Sequence, residues 1–237
     1  MATHTHAGRP VGGRRLYTWA AVAAAAVVFI GFARSYYLKG AFGAPALSAL
    51  VHAHGLVMTL WFVLFVVQAR LVAARRIDLH RRLGIAGAAV AALVFVVGVS
   101  TAINAAARGV SPGPPPLVFL VVPLGDMLVF ATLAGAGLLL RRRGDHHKRL
   151  MLLASVGMLT AAFARIPLDL VKVGGLPLFF ALNDLLVLTC VGYDTVKNRR
   201  LHPAFGWGAL LIVVSQPLRL LLAGTAGWLQ FASWLVR

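Results

Sequence analysis

The chain contains no glutamate, and its only acidic residues are six aspartates set against 23 lysines and arginines. Charged residues of both signs make up only 12% of the 237 positions, too few for a disordered chain to stay solvated. Cysteine is almost missing as well. Cys190 stands alone inside an apolar run, so no internal disulfide can form and a CxxC-type redox or zinc site is absent. Two membrane chemistries also lack their residues. A retinal protein needs a lysine in its last span, and a zinc-dependent membrane hydrolase needs an HxxxH helix; neither is present.

What is present is apolar surface. The chain is 60% hydrophobic with a mean hydropathy of +0.85. A net charge of +17 would suggest nucleic acid in a soluble protein. Here the basic residues form short clusters between long apolar runs, the pattern of a polytopic membrane protein whose partner is the lipid bilayer. A bilayer core needs about 20 apolar residues per helix. Cutting at the basic clusters leaves seven runs: 16–35, 46–70, 83–107, 117–140, 150–171, 176–195 and 205–235. The last has length to tilt or to end in a surface segment. The sequence therefore predicts an all-α, seven-helix transmembrane domain over residues 16–237 behind a polar tail at 1–15. His4 and His6 in that tail are expected to bind metal only adventitiously.

Orientation follows from the loops. Sixteen of the 23 Lys and Arg fall in alternate loops, in the clusters around Arg14, Arg76, Arg142 and Arg199. Positive loops stay in the cytoplasm, so the N-terminus is expected inside and the C-terminus outside. The first run, long for a signal peptide, is expected to remain. Bacterial inner membrane is the expected location.

The inner loops repeat. Arg75-Arg76-Ile77-Asp78-Leu79-His80-Arg81-Arg82-Leu83 returns as Arg142-Arg143-Gly144-Asp145-His146-His147-Lys148-Arg149-Leu150, and more loosely as Asn198-Arg199-Arg200-Leu201-His202-Pro203. One helix plus three related hairpins is the predicted plan. His80, His147 and His202 then lie at equivalent depths beside arginines suited to haem propionates, which makes a b-type haem one candidate cofactor. The competing reading is structural: Asp78 and Asp145 stand where a carboxylate caps a helix.

The stretch Leu79-His80-Arg81-Arg82-Leu83-Gly84, about 25 residues after His54, resembles uncharacterised bacterial multi-span families that share a membrane histidine followed by an HRxLG loop. Those families carry no established activity. The resemblance implies a bacterial inner-membrane protein and singles out His54 and His80.

Charged groups inside spans cost a few kcal/mol each, roughly, even on lenient scales. Asp126, Arg165, Asp169, Asp184 and Arg219 all fall in the runs away from the inner loops, with His52, His54, Asn183 and Gln216 beside them. Counted from the run ends, they gather in the outer half, and Pro123, Pro167 and Pro217 stand close to three of the charges. Kinked helices beside intramembrane charge are how midplane sites are built. Three roles are open at this layer. His54, Asp126 and Asp184 form a candidate set of transition-metal ligands. Asp126 or Asp184 is a candidate catalytic base tuned by Arg165 or Arg219. A small lipophilic ligand is a third occupant. Against all three stands a closed ionic network, with Arg165 and Asp169 at the i,i+4 spacing of an ion pair. Such a network would suit a non-catalytic accessory subunit.

Overall fold

A computed structural model describes residues 13–237; the expectations for His4 and His6 fall outside the described residues. The described chain is all helix and loop. In order it comprises α1 (Gly13–Phe32), a π-helical turn (Ala33–Tyr37), α2 (Ala49–Ala73), α3 (Ile77–Ala107), α4 (Pro116–Phe119) and α5 (Val121–Leu139). It continues with α6 (Gly144–Val156), α7 (Thr160–Phe163), α8 (Asp169–Asn198), α9 (Pro203–Ala223) and α10 (Ala226–Leu235). Six helical stretches among the described residues are long and apolar enough to cross a membrane: Arg15–Tyr37, Ala49–Ala73, Ile77–Ala107, Pro116–Leu139, Val173–Asn198 and Pro203–Ala223. Large side chains on their outer faces are bare, Ile85 at 78% and Leu139 at 81% exposure. In water that surface would aggregate; in lipid it is the solvated face.

The fifth apolar run departs from the expected single helix. It divides into α6, a turn at 157–159 and the single turn α7. The segment is the hub of the bundle: α1, α5, α8 and α9 pack around α6, and Leu150, Leu152, Leu153, Ala154, Ser155 and Val156 are all buried. A helix enclosed on every side needs no polar face. The segment runs the length of α1, for Lys148 lies over the Tyr17 ring at 5.7 Å and Arg165 over Phe32 at 4.8 Å. Its far end touches α1 at Gly31, where a Cβ would stand 2.3 Å from the Ala162 carbonyl oxygen. Only glycine allows that approach.

The last run also divides. Thr225 ends the α9 connection and accepts a hydrogen bond from Trp228 N, starting α10 as a separate short helix. The Trp228 indole donates to the Leu117 carbonyl at 2.8 Å, tying α10 to α4.

Helix starts correct two details. Asp78 and Asp145 are each the second residue of their helix, after Arg76 and Arg143, which provide no side-chain cap. They stand in the first turn, where the helix dipole favours a carboxylate, rather than at the N-cap position itself. Of the three prolines expected to kink helices, Pro217 alone sits in a helix interior; Pro123 is the third residue of α5 and Pro167 lies in the 164–168 linker. That linker removes the helical register between Arg165 and Asp169, so the i,i+4 pair expected there has no helix to set it. A kink absent from the sequence reading lies at Gly175, whose φ of 55° is left-handed, two residues before Pro177 in α8.

Candidate functional site

The polar residues of the apolar spans separate into three groups. The first is organised by α9. Arg219, 6% exposed, donates to Asp126 on α5, to the Val122 carbonyl at 3.2 Å, to Ser215 Oγ at 2.7 Å and to the Ser215 carbonyl at 3.2 Å. Its guanidinium also lies 5.8 Å from the centre of the Phe180 ring. One turn back on α9, Gln216 donates to Asp184 on α8 at 2.7 Å. Asp126, Asp184 and Arg219 therefore do meet around one helix, as their depths predicted. They meet as partners already engaged.

The second group faces α2. His54 Nδ1 and Trp61 Nε1 are buried and have no hydrogen-bond partner. The two residues are seven apart, two helical turns, on one side of α2. Trp61 packs edge-on against Phe130 of α5 at 5.1 Å. Arg165 lies close enough to His54 for its charge to reach the imidazole. Its own contacts among the described residues are the Ala161 carbonyl at 2.9 Å and the Phe32 ring. The π-helical turn bends the chain over α2, where the Tyr37 hydroxyl meets Thr59 Oγ1 at 2.8 Å and the Tyr36 hydroxyl donates to the His52 carbonyl. π-Turns of this kind recur at functional sites. His52 itself is exposed, on the other side of the helix from His54. Asn183 of α8 is a further orphan: fully enclosed, with neither amide atom partnered.

The third group lies at the arginine-rich end. Arg149 of α6 and Asp194 of α8, both buried, form a bidentate pair at 2.7–3.0 Å. Arg149 also donates to the Asp145 carbonyl at 2.8 Å. Asp194 went unnoticed in the sequence because it precedes Lys197 and Arg199 and reads as loop charge. The signal was its place in the apolar stretch, a turn before α8 ends. Beside this pair the loop histidines come together: His80 and His147 rings are 6.1 Å apart, His146 and His202 rings 4.7 Å. His147 Nδ1 donates to the Gly137 carbonyl at 2.8 Å, which leaves Nε2 with its lone pair. Gln68, with its amide turned to satisfy both neighbours, donates to His80 Nδ1 at 2.6 Å. His202 Nδ1 accepts from Ala204 N at 3.2 Å and so caps α9. Burial first, then the nearby Arg149 and His146 charges, hold the His202 imidazole below its ordinary pKa. The capping role therefore belongs to a neutral ring carrying its proton on Nε2.

No family model, curated protein or solved structure matches the chain. The site must be read from its own chemistry. Among the described residues no three His, Cys, Asp or Glu side chains gather as a metal-binding group. His54 stands with Arg165 on the α2 side, while Asp126 and Asp184 are held from α9, so the expected three-ligand set is divided between two places. His202 is likewise occupied as a cap. The Leu79–Gly84 stretch that carries the resemblance forms the start of α3, with Gln68 bridging His80 to the Gly84 amide.

Proposed function

We propose that this is an inner-membrane protein of seven crossings, N-terminus cytoplasmic, whose α2 face binds a small lipophilic ligand with an acidic or carbonyl head. The six apolar helices support the membrane reading. The seventh crossing is the broken α6–α7 segment, which spans the bundle alongside α1. The observation that carries the ligand is the pair of orphaned buried groups, His54 Nδ1 and Trp61 Nε1, with the Arg165 charge in electrostatic reach of His54. Buried polar groups are almost always partnered, and each one left alone costs about 1–3 kcal/mol. Two unpartnered ring nitrogens on one side of α2, with a cation in electrostatic reach of His54, suit a ligand that accepts hydrogen bonds. The ionic pairs at Arg219 and Arg149 belong to the scaffold.

His54→Leu tests this reading. Protein stripped of small molecules by exhaustive detergent exchange is expected to gain about 1–3 kcal/mol, because an unsatisfied polar atom disappears. Protein as purified is expected to melt lower than wild type, because the bound ligand that stabilised it is gone. Thermal unfolding of both preparations reads the two signs. A gain in both would mean that no ligand uses His54, and the accessory-subunit reading would replace this one.

The approach of His80 to His147 supports a second reading, a b-type haem or transition metal at the cytoplasmic side. His147 fits, since its Nδ1–H is already held and its Nε2 is free. His80 fits only if the Gln68 amide turns round, and His202 does not fit. The surrounding arginines favour a group with carboxylates over a bare dication. Plasma mass spectrometry and an absorption spectrum decide it: near-stoichiometric iron with a Soret band, both lost in His147→Ala, is the expected result, and metal-free colourless protein would end it.

A further inference from the structure

Asp184 differs from every other carboxylate in the apolar helices. It lies near the middle of the Val173–Asn198 stretch, 11 residues from one end and 14 from the other. At 1.5 Å per residue that is about 16 and 21 Å of helix, well inside the hydrocarbon. Its one hydrogen-bond partner among the described residues is the neutral amide of Gln216. Asp126 has Arg219 and Asp194 has Arg149; among the described residues Asp184 makes no ion pair.

Among the described residues, the elements packed against α8 supply no cation for it. From α9 the nearest charge is Arg219, committed to Asp126 and Ser215. From the segment after α7 it is Arg165, turned to the Ala161 carbonyl and the Phe32 ring. The charges of α6 that are paired in this structure, Asp145, Lys148 and Arg149, stand at the arginine-rich end with Tyr17 of α1. On α8 itself Asp194 is 10 residues away and held by Arg149. Asp184 is only part-buried, and Leu185 and Leu188 beside it are 64% and 54% exposed. The carboxyl is thus reachable from the lipid.

We propose that Asp184 is a proton-binding site within the membrane, a carboxyl that holds its proton at rest and exchanges it beside Gln216. An isolated carboxylate in hydrocarbon is relieved of its charge by taking up a proton, and the Gln216 N–H then bonds a neutral acid. Such a group couples movement or chemistry elsewhere in a membrane protein to a proton. The inference is independent of the α2 ligand, since Asp184 shares no hydrogen bond with His54 or Trp61.

A hydrophobic carbodiimide is the probe. Dicyclohexylcarbodiimide partitions into lipid and reacts with the protonated carboxyl: the acid proton moves to one carbodiimide nitrogen as a carboxyl oxygen bonds the central carbon. The acyl group then shifts to nitrogen as a stable N-acylurea, with no atom lost. Full-length protein in detergent or proteoliposomes is expected to gain one adduct, mapped by peptide mass spectrometry to Asp184 in the wild-type chain. Its rate should fall about tenfold per pH unit once the carboxyl ionises. Asp126 and Asp194, each engaged by an arginine, should stay unmodified. Gln216→Leu, which removes the one donor able to stabilise the carboxylate, should carry labelling to higher pH. The proposal is overturned if Asp184 stays unlabelled at acid pH, if labelling ignores pH, or if sodium at fixed pH protects it as a competing cation would.

Discussion

Replacing Arg149 by leucine is expected to destabilise the protein by about 3–5 kcal/mol, among the largest single effects in the chain. The guanidinium makes three contacts with the Asp194 carboxylate, bonds the Asp145 carbonyl and lies 5.6 Å from the Phe205 ring centre. Both ionic partners are buried, Arg149 at 4% and Asp194 at 5% exposure. Taking away one partner leaves the other charge enclosed without compensation, and that, more than the lost attraction, sets the cost. The double variant Arg149→Leu with Asp194→Leu is therefore expected to recover most of the loss, because two apolar side chains leave no charge behind. Arg149→Lys should fall between, since an ammonium cannot bond both carboxylate oxygens and the carbonyl in one plane. Denaturant or thermal unfolding of the detergent-solubilised protein reads the series. A double variant as unstable as the single one would show that packing against Phe205, not charge, governs the site.

That pair also shows where sequence reading stopped. Run length alone located the six long helices, four of them within three residues at each end, because a bilayer demands a minimum apolar length whatever the side chains do. Of the other two, α3 starts earlier, at Ile77, and the run 205–235 takes in α10 beyond the end of α9 at Ala223. The same counting could not see the break at 157–159. Hydropathy records that residues 150–171 are apolar and says nothing of whether their backbone bonds continue. Depth was legible as well: Asp126, Asp184 and Arg219 were expected in one layer, and α9 does bring them together. Direction around the helix axis was not. His54 and Arg165 were expected in the same layer yet do not join the α9 group, Arg165 turning to Phe32 of α1 instead, because rotation of each helix is set by packing partners that sequence spacing leaves open. Arg149 and Asp194 were hidden for a third reason. Each stands beside other charges at the end of an apolar run, and their burial comes from the enclosure of α6 by four neighbouring helices, a tertiary fact.

The other large effect belongs to Gly125, and its sign runs against local helix propensity. Alanine favours a helix over glycine by about 1 kcal/mol, so Gly125→Ala within α5 should stabilise if nothing lay beside it. Arg219 lies beside it. A Cβ at position 125 would stand 2.3 Å from Arg219 Cδ and 2.7 Å from Nε, so the side chain must leave. Once displaced, it abandons Asp126, whose side chain is 13% exposed and faces apolar helices. The expected loss is about 3 kcal/mol or more, close to that of Arg219→Ala itself. The two substitutions should not add. With alanine already at 219 the clash has no partner, and Gly125→Ala should then cost nothing or return its small propensity gain. A double-mutant cycle by thermal unfolding measures this coupling directly. Additive losses would mean that Gly125 acts through something other than Arg219, and that α5 and α9 approach each other for a reason unconnected with the ion pair.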